Sequence, residues 1–216
     1  RPPRAGAGGM RFVKHAAVCQ LSADDFWRLR LDLQFDHFMA ADSSHGASFR
    51  LLSSETKTDA REGQQVVHQV ALITYARSPV PPALKGLFGR GPFSLRIEAT
   101  WFAAKHDVAH PAAIRTYPSV LGDRISVVGT QWLEPLGPSL CRVHFHTECR
   151  ARVPGLGAQL ERTIEKELRL SYSRLPHLAE MYALKTAMTT VRPLRAGGLS
   201  SPPPVATPSN DAAAAA

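Results

Sequence analysis

The chain has no long apolar run. Of its 216 residues 44% are hydrophobic, yet no uninterrupted stretch approaches the roughly 20 residues a spanning helix needs. No segment is therefore expected to cross a bilayer, and the domain is expected to be soluble. Cysteine is scarce: Cys19, Cys141 and Cys149 form an odd set of three. Cys141 and Cys149 stand eight positions apart on one predicted strand, which spans roughly 27 Å, whereas the Cα atoms of a bridged pair lie within about 7 Å. Those two cannot pair, so the simplest expectation is buried free thiols in a reducing, intracellular compartment. The Gly-x-Ser-x-Gly elbow of serine hydrolases is missing. Gly155-Leu-Gly157 begins like a nucleotide-binding turn, but Leu160 stands where the third glycine belongs, so these glycines are read as a tight strand-to-helix turn and no cofactor is expected.

Acidic residues are the minority. Against 18 Asp and Glu stand 26 Lys and Arg, a formal charge of +8 that favours anionic partners. The excess forms no block: Arg1, Arg4, Arg11 and Lys14 open the chain, and Arg192 and Arg195 follow the last predicted helix. A dedicated nucleic-acid groove is accordingly not expected. The opening Arg1-Pro-Pro-Arg4, rich in arginine and poor in acid, fits either a transit-peptide remnant, hence an organelle, or a simple truncation of a cytoplasmic protein.

What is present is periodic. Residues 1–9 and 189–216 read as disordered flanks, the second Pro- and Ala-rich, around a domain at 10–188. A strand is predicted near 10–18, then a helix capped by Ser22 and carrying Phe26, Trp27, Leu29 and Leu33. From Phe49 to Val153 the period is two, giving strands near 48–58, 63–76, 93–104, 112–119, 123–134 and 139–153. Short turns between them imply an antiparallel meander. On the last strand Cys141, Val143, Phe145, Thr147, Cys149, Ala151 and Val153 share one face, with Arg142, His144, His146, Glu148, Arg150 and Arg152 on the other. After Pro154-Gly155 the period becomes helical, with Leu156, Leu160, Ile164, Leu168, Leu175, Leu178 and Tyr182 in one stripe that Pro176 should kink or end. The compact solution is an α+β fold in which a curved antiparallel sheet wraps around a long C-terminal helix.

Three stretches carry a family likeness: Asp123-Arg-Ile-Ser-Val-Val-Gly-Thr-Gln-Trp-Leu-Glu-Pro135, the strand Cys141 to Val153, and Gly155-Leu-Gly-Ala-Gln-Leu-Glu161 with Ser171-Tyr-Ser-Arg-Leu-Pro176. With the element order they resemble the START-like superfamily of helix-grip, polyketide-cyclase-like (SRPBCC) proteins, in an uncharacterised branch, and more loosely the VASt lipid-binding domain. The resemblance spans residues 10–186. It implies a cavity between sheet and terminal helix for a lipid or other apolar small molecule, with binding and transfer as the expected activity. It equally leaves room for a cyclase- or dehydrase-like enzyme using polar groups in that cavity, for which His68, Arg96, Glu98 and Tyr117 lie on predicted strands. A third reading is an interaction module with the cavity filled.

On this reading Val143, Phe145, Thr147, Leu160, Ile164, Leu168 and Tyr172 are the expected ligand contacts, joined by Trp101 and Trp132. In the loop Ala83-Leu-Lys-Gly-Leu-Phe-Gly-Arg90, apolar Leu84, Leu87 and Phe88 alternate with Lys85 and Arg90, a composition suited to a cavity gate or to contact with an anionic membrane. His144, His146 and Glu148 share a strand face at a spacing metals accept, but Arg142, Arg150 and Arg152 beside them oppose a divalent ion, and no metal is expected.

Overall fold

The computed structural model describes residues 10–43, 45–80, 86 and 91–190. The proposed gate residues Leu84, Lys85, Leu87, Phe88 and Arg90 lie outside them, as do both termini. The elements are β1 (Arg11–Cys19), α1 (Ala23–Arg28), a 3-10 turn (Leu29–Leu31), α2 (Leu33–Ala41), β2 (Ala47–Thr58), β3 (Gln65–Tyr75), β4 (Ser94–Phe102), β5 (Ala112–Pro118), β6 (Ile125–Gly137), β7 (Leu140–Ala151) and α3 (Gly157–Thr190).

Strands β2 to β7 form the expected meander, and β1 adds at its far end, giving the antiparallel order β1-β7-β6-β5-β4-β3-β2. The chain must therefore travel from one edge of the sheet to the other between β1 and β2. Two helices make that crossing where one was expected. Ser22 caps α1 by accepting from Asp25 N at 3.0 Å, but Asp32 adopts an extended backbone and starts a second helix by accepting from Gln34 N at 2.9 Å. A short acidic side chain at that position competes for the N–H groups of a new first turn and so resets the helix.

The predicted alternation of β7 holds along its length: Cys141, Val143, Phe145, Thr147, Cys149 and Ala151 are all buried. Gly155, with φ of +73°, makes the turn from sheet to helix, a left-handed conformation that favours glycine. Helix α3 is 34 residues long, about 51 Å at 1.5 Å per residue. It runs on through Pro176 rather than ending there. The proline costs the hydrogen bond its N–H would have made, while burial of Ala179 and Tyr182 just beyond it keeps the following turns against the core.

Helix α3 lies across β1 and β7, and α2 lies on β2. The two helices are tied together at both ends of α2. Tyr182 OH donates to Asp32 Oδ2 at 2.6 Å, and Arg174 pairs with the Asp42 carboxylate and donates to the Asp42 carbonyl at 3.1 Å. All three cysteines are buried and free, with Cys19 directly opposite Cys141 in the β1–β7 ladder. Burial pushes the Cys149 thiol up to about 11, which leaves it unreactive at neutral pH. Among the described residues no helix is long and apolar enough to cross a membrane.

Candidate functional site

Because one helix rests on the β1–β7 edge and the other on β2, the concave middle of the sheet is closely approached by neither. Between them lies a cavity of about 510 Å³. Its floor is made by inward side chains such as Ala71, Ile97 and Ile114, one wall by Ile164, Leu168 and Leu175 of α3, and the other by Phe26, Phe35 and Met39 of α1 and α2. Small residues give the floor its depth, since Ala71 and Ala99 stand where larger strand residues would reach the helices. The void separates two packed clusters. One holds Trp27, Trp101, Leu133 and Phe145, the other Ile125, Val153 and Leu160.

Six of the residues proposed from sequence line this cavity: Trp101, Phe145, Leu160, Ile164, Leu168 and Tyr172. Phe145 and Tyr172 stack with ring centroids 4.1 Å apart and planes 5° from parallel. Val143, Thr147 and Trp132 are elsewhere. Val143 is fully buried in the cluster with Cys141 and Ala179, because α3 presses directly on that part of β7 and leaves no space. Thr147 Oγ1 lies 2.6 Å from Tyr172 OH and faces Gly129, where an added Cβ would come within 2.6 Å of that oxygen. Trp132 is on the opposite, convex face of the sheet, stacked on His144 and edge-on to His146.

That placement also bears on the candidate metal ligands. The Trp132 ring sits against both imidazoles, His144 Nε2 is 2.9 Å from Glu134 Oε2, and among the described residues no group of three or more His, Cys, Asp or Glu side chains converges. The residues considered for acid–base work are convex too. Tyr117 OH donates to Glu98 Oε2 at 3.2 Å, Arg96 pairs with Glu98 at 2.7 Å, and His68 Nδ1 lies 2.8 Å from Thr100 Oγ1. None of the four lines the cavity.

Sequence reasoning missed the polar side chains among the lining residues, which include Arg30, Asp36, His45, Gln69, Gln131 and Glu167. Arg30 lies at the turn between α1 and α2, its guanidinium carbon 5.4 Å from the Trp27 ring centroid and 5.9 Å from that of Trp101. Burial lowers it to about 10, so it remains cationic at neutral pH. Gln131 was legible in principle, since it falls in the inward register of β6 between Gly129 and Leu133. Arg30 was not, because its direction depends on a helix break that the local sequence conceals.

Burial holds the Asp36 carboxyl at about 6, with Arg30 acting against that rise and Asp32 adding to it. A carboxyl whose pKa is higher folded than unfolded binds its proton more tightly in the folded state. Its contribution is present below about pH 4 and lost as pH rises through 6. Asp36→Asn should therefore stabilise the protein at pH 7 by up to about 3 kcal/mol, at about 1.4 kcal/mol per pKa unit, and by little at pH 4. Denaturant unfolding at the two pH values measures this.

A curved antiparallel sheet gripping a terminal helix across an unfilled interior defines the START-like helix-grip fold, and this chain has it. A family model described as "Protein of unknown function (DUF2505)" matches residues 14–182, and the chain belongs to that family. No curated protein matches the sequence. Among solved structures, TTHA0849 from Thermus thermophilus is 16% identical, with 82% of this chain and 99% of that chain covered and a TM-score of 0.51. Ara h 8.0201 is 8% identical, with coverage of 82% and 99% and a TM-score of 0.50. Dicamba monooxygenase bound to dicamba is 13% identical, with coverage of 88% of this chain and 54% of that chain and a TM-score of 0.50. At these identities the likeness concerns the fold.

Proposed function

We propose that the protein binds one apolar small molecule, a lipid or lipid-sized metabolite, in the cavity between the concave sheet, α2 and α3. The observation that carries this is the cavity itself. Protein interiors are close-packed, and voids larger than a water molecule are few, so about 510 Å³ lined predominantly by apolar and aromatic side chains is the size and lining of a ligand site. A module whose only task was to present a surface would gain stability by filling that space with larger side chains. The four residues considered for cyclase or dehydrase chemistry belong to the convex face and take no part in this cavity. Carriage between membranes, with residues 83–90 as gate and membrane contact, extends the same proposal.

Titration with the fluorescent probe 1-anilinonaphthalene-8-sulfonate tests it. One probe should bind per chain with saturable enhancement, and a natural apolar ligand should displace it. Weak, non-saturating enhancement would remove the reading.

A further inference from the structure

The positive charge that forms no block in the sequence is gathered by the fold. On the convex side of the sheet, where the β5–β6 turn meets the end of β7, Arg115, Arg124, Arg150 and Arg152 line a second pocket of about 240 Å³, together with Ser126. Strand pairing explains the convergence. Arg115 stands opposite Val128 and Ser126 opposite Arg150, so only β6 separates the strands carrying Arg115 and Arg150, which run roughly 10 Å apart. The Arg152 N–H donates to the Arg124 carbonyl at 2.7 Å and so brings the turn against the end of β7.

Their charge is not answered within the protein. Elsewhere arginines find acids: Arg11 pairs with Glu165, Arg142 with Glu134 and Arg174 with Asp42. Among the described residues Arg115, Arg150 and Arg152 have no ion pair, and Arg124 comes only within 3.9 Å of Asp123, a carboxylate that is itself 82% exposed. The register sets Glu98 opposite Arg115, but its two oxygens are already engaged, one by Arg96 at 2.7 Å and the other by Tyr117 OH at 3.2 Å. Glu148 shares the face two positions from Arg150, opposite Val128, and closes no ion pair either. Guanidinium groups held around one pocket repel each other, and an oxyanion relieves that repulsion because each planar fork meets two of its oxygens. Arg150 is anchored for such a role: it is half-buried, and of its three nitrogens only Nε is closed off, which leaves the two terminal nitrogens accessible.

We infer that this pocket is an anion site that takes a phosphate group, with Arg115, Arg150 and Arg152 as its principal contacts. A carboxylate offers two oxygens and one charge, too little for several unpaired guanidinium groups, whereas a phosphate monoester offers three oxygens and nearly two charges. A soluble phosphate ester and a lipid headgroup present the same chemistry. The site stands apart from the apolar cavity, since its arginines lie on the other side of the sheet, and neither reading depends on the other.

Two titrations of the full chain test it: calorimetry with inorganic phosphate, at ionic strength held constant with sodium chloride, and cosedimentation with phosphatidylcholine vesicles with and without phosphatidic acid. Saturable binding of at least one of these phosphates is expected. Arg115→Gln with Arg152→Gln, both at exposed positions, should weaken it at least about tenfold, the scale of one charge-assisted hydrogen bond. Arg50→Gln with Arg61→Gln removes the same charge on and beside β2, the far edge of the sheet, and should change it by less than about threefold. Both pairs replace exposed side chains, so thermal midpoints should move by no more than about 2 °C; if the first pair does not fold, Arg124→Gln with Arg152→Gln gives the same comparison. Inorganic phosphate bound without any preference for phosphatidic acid assigns a soluble phosphate ester, and arginine-dependent binding to phosphatidic acid vesicles assigns a lipid headgroup. The inference is overturned by saturable binding of neither probe, by binding that survives loss of Arg115 and Arg152, or by equal weakening in the two double variants, which would reduce the effect to overall charge.

Discussion

Replacing Ala71 with Phe and Ala99 with Trp together should weaken binding of 1-anilinonaphthalene-8-sulfonate by about two orders of magnitude, roughly 2.7 kcal/mol, while the thermal midpoint stays level or rises. Both alanines stand on the cavity floor, on neighbouring strands β3 and β4, with Ala71 opposite Ile97 and Ala99 opposite Gln69. Both line the cavity, Ala71 at 8% exposure and Ala99 with one side against the cluster around Trp101, so added rings take up ligand volume along that floor. Filling an apolar void recovers the contacts its walls lack, which offsets the strain that larger core side chains usually bring. Opposite movement of affinity and stability is the signature. A variant that loses both has simply misfolded, and Ala99→Leu, with a smaller change in volume, then gives the same comparison at reduced amplitude. Undiminished probe binding by a stable double variant would place the probe outside this cavity.

Trp101→Ala should have the largest effect on stability of any single change considered. The residue is 2% exposed, stands opposite Val67 across β3–β4, belongs to the cluster that holds Trp27 and Phe145, and lies beneath the Arg30 guanidinium. Truncating a buried tryptophan costs about 3–5 kcal/mol through lost transfer energy and the cavity left behind. Here the new void would merge with the existing one, so the surroundings cannot collapse to fill it. At about 2–4 °C per kcal/mol for a domain of this size, the thermal midpoint should fall by roughly 10 °C. A fall of only a degree or two would mean that the ring is not packed as the structure shows.

The parts of this fold that were legible in sequence are those with a local period. The β7 alternation from Cys141 to Ala151 and the stripe from Leu160 to Tyr182 each announce one buried face, and the predicted strands match the observed ones to within a few residues at each end. The break between α1 and α2 was not legible, because Phe26, Trp27, Leu29 and Leu33 continue a helical period across it, and only the cap geometry at Asp32 shows where one helix stops and the next begins. The candidate site was half legible for a related reason. Periodicity reports which residues turn inward but not whether anything meets them there. Val143 and Phe145 are two positions apart on one face, yet α3 covers the first while the second reaches the void. Trp132 was misplaced because an aromatic ring reads as interior by composition, whereas its register opposite His144 puts it outside.

The most direct measurement is native mass spectrometry of the unaltered chain beside the Ala71→Phe, Ala99→Trp variant, both purified from more than one host without organic solvent. The expected result is a fraction of the unaltered protein carrying one added mass of a few hundred daltons, the range that about 510 Å³ accommodates, released by mild activation and absent from the variant. Bare protein from every host, together with no saturable uptake of added apolar molecules, would contradict ligand binding in this cavity.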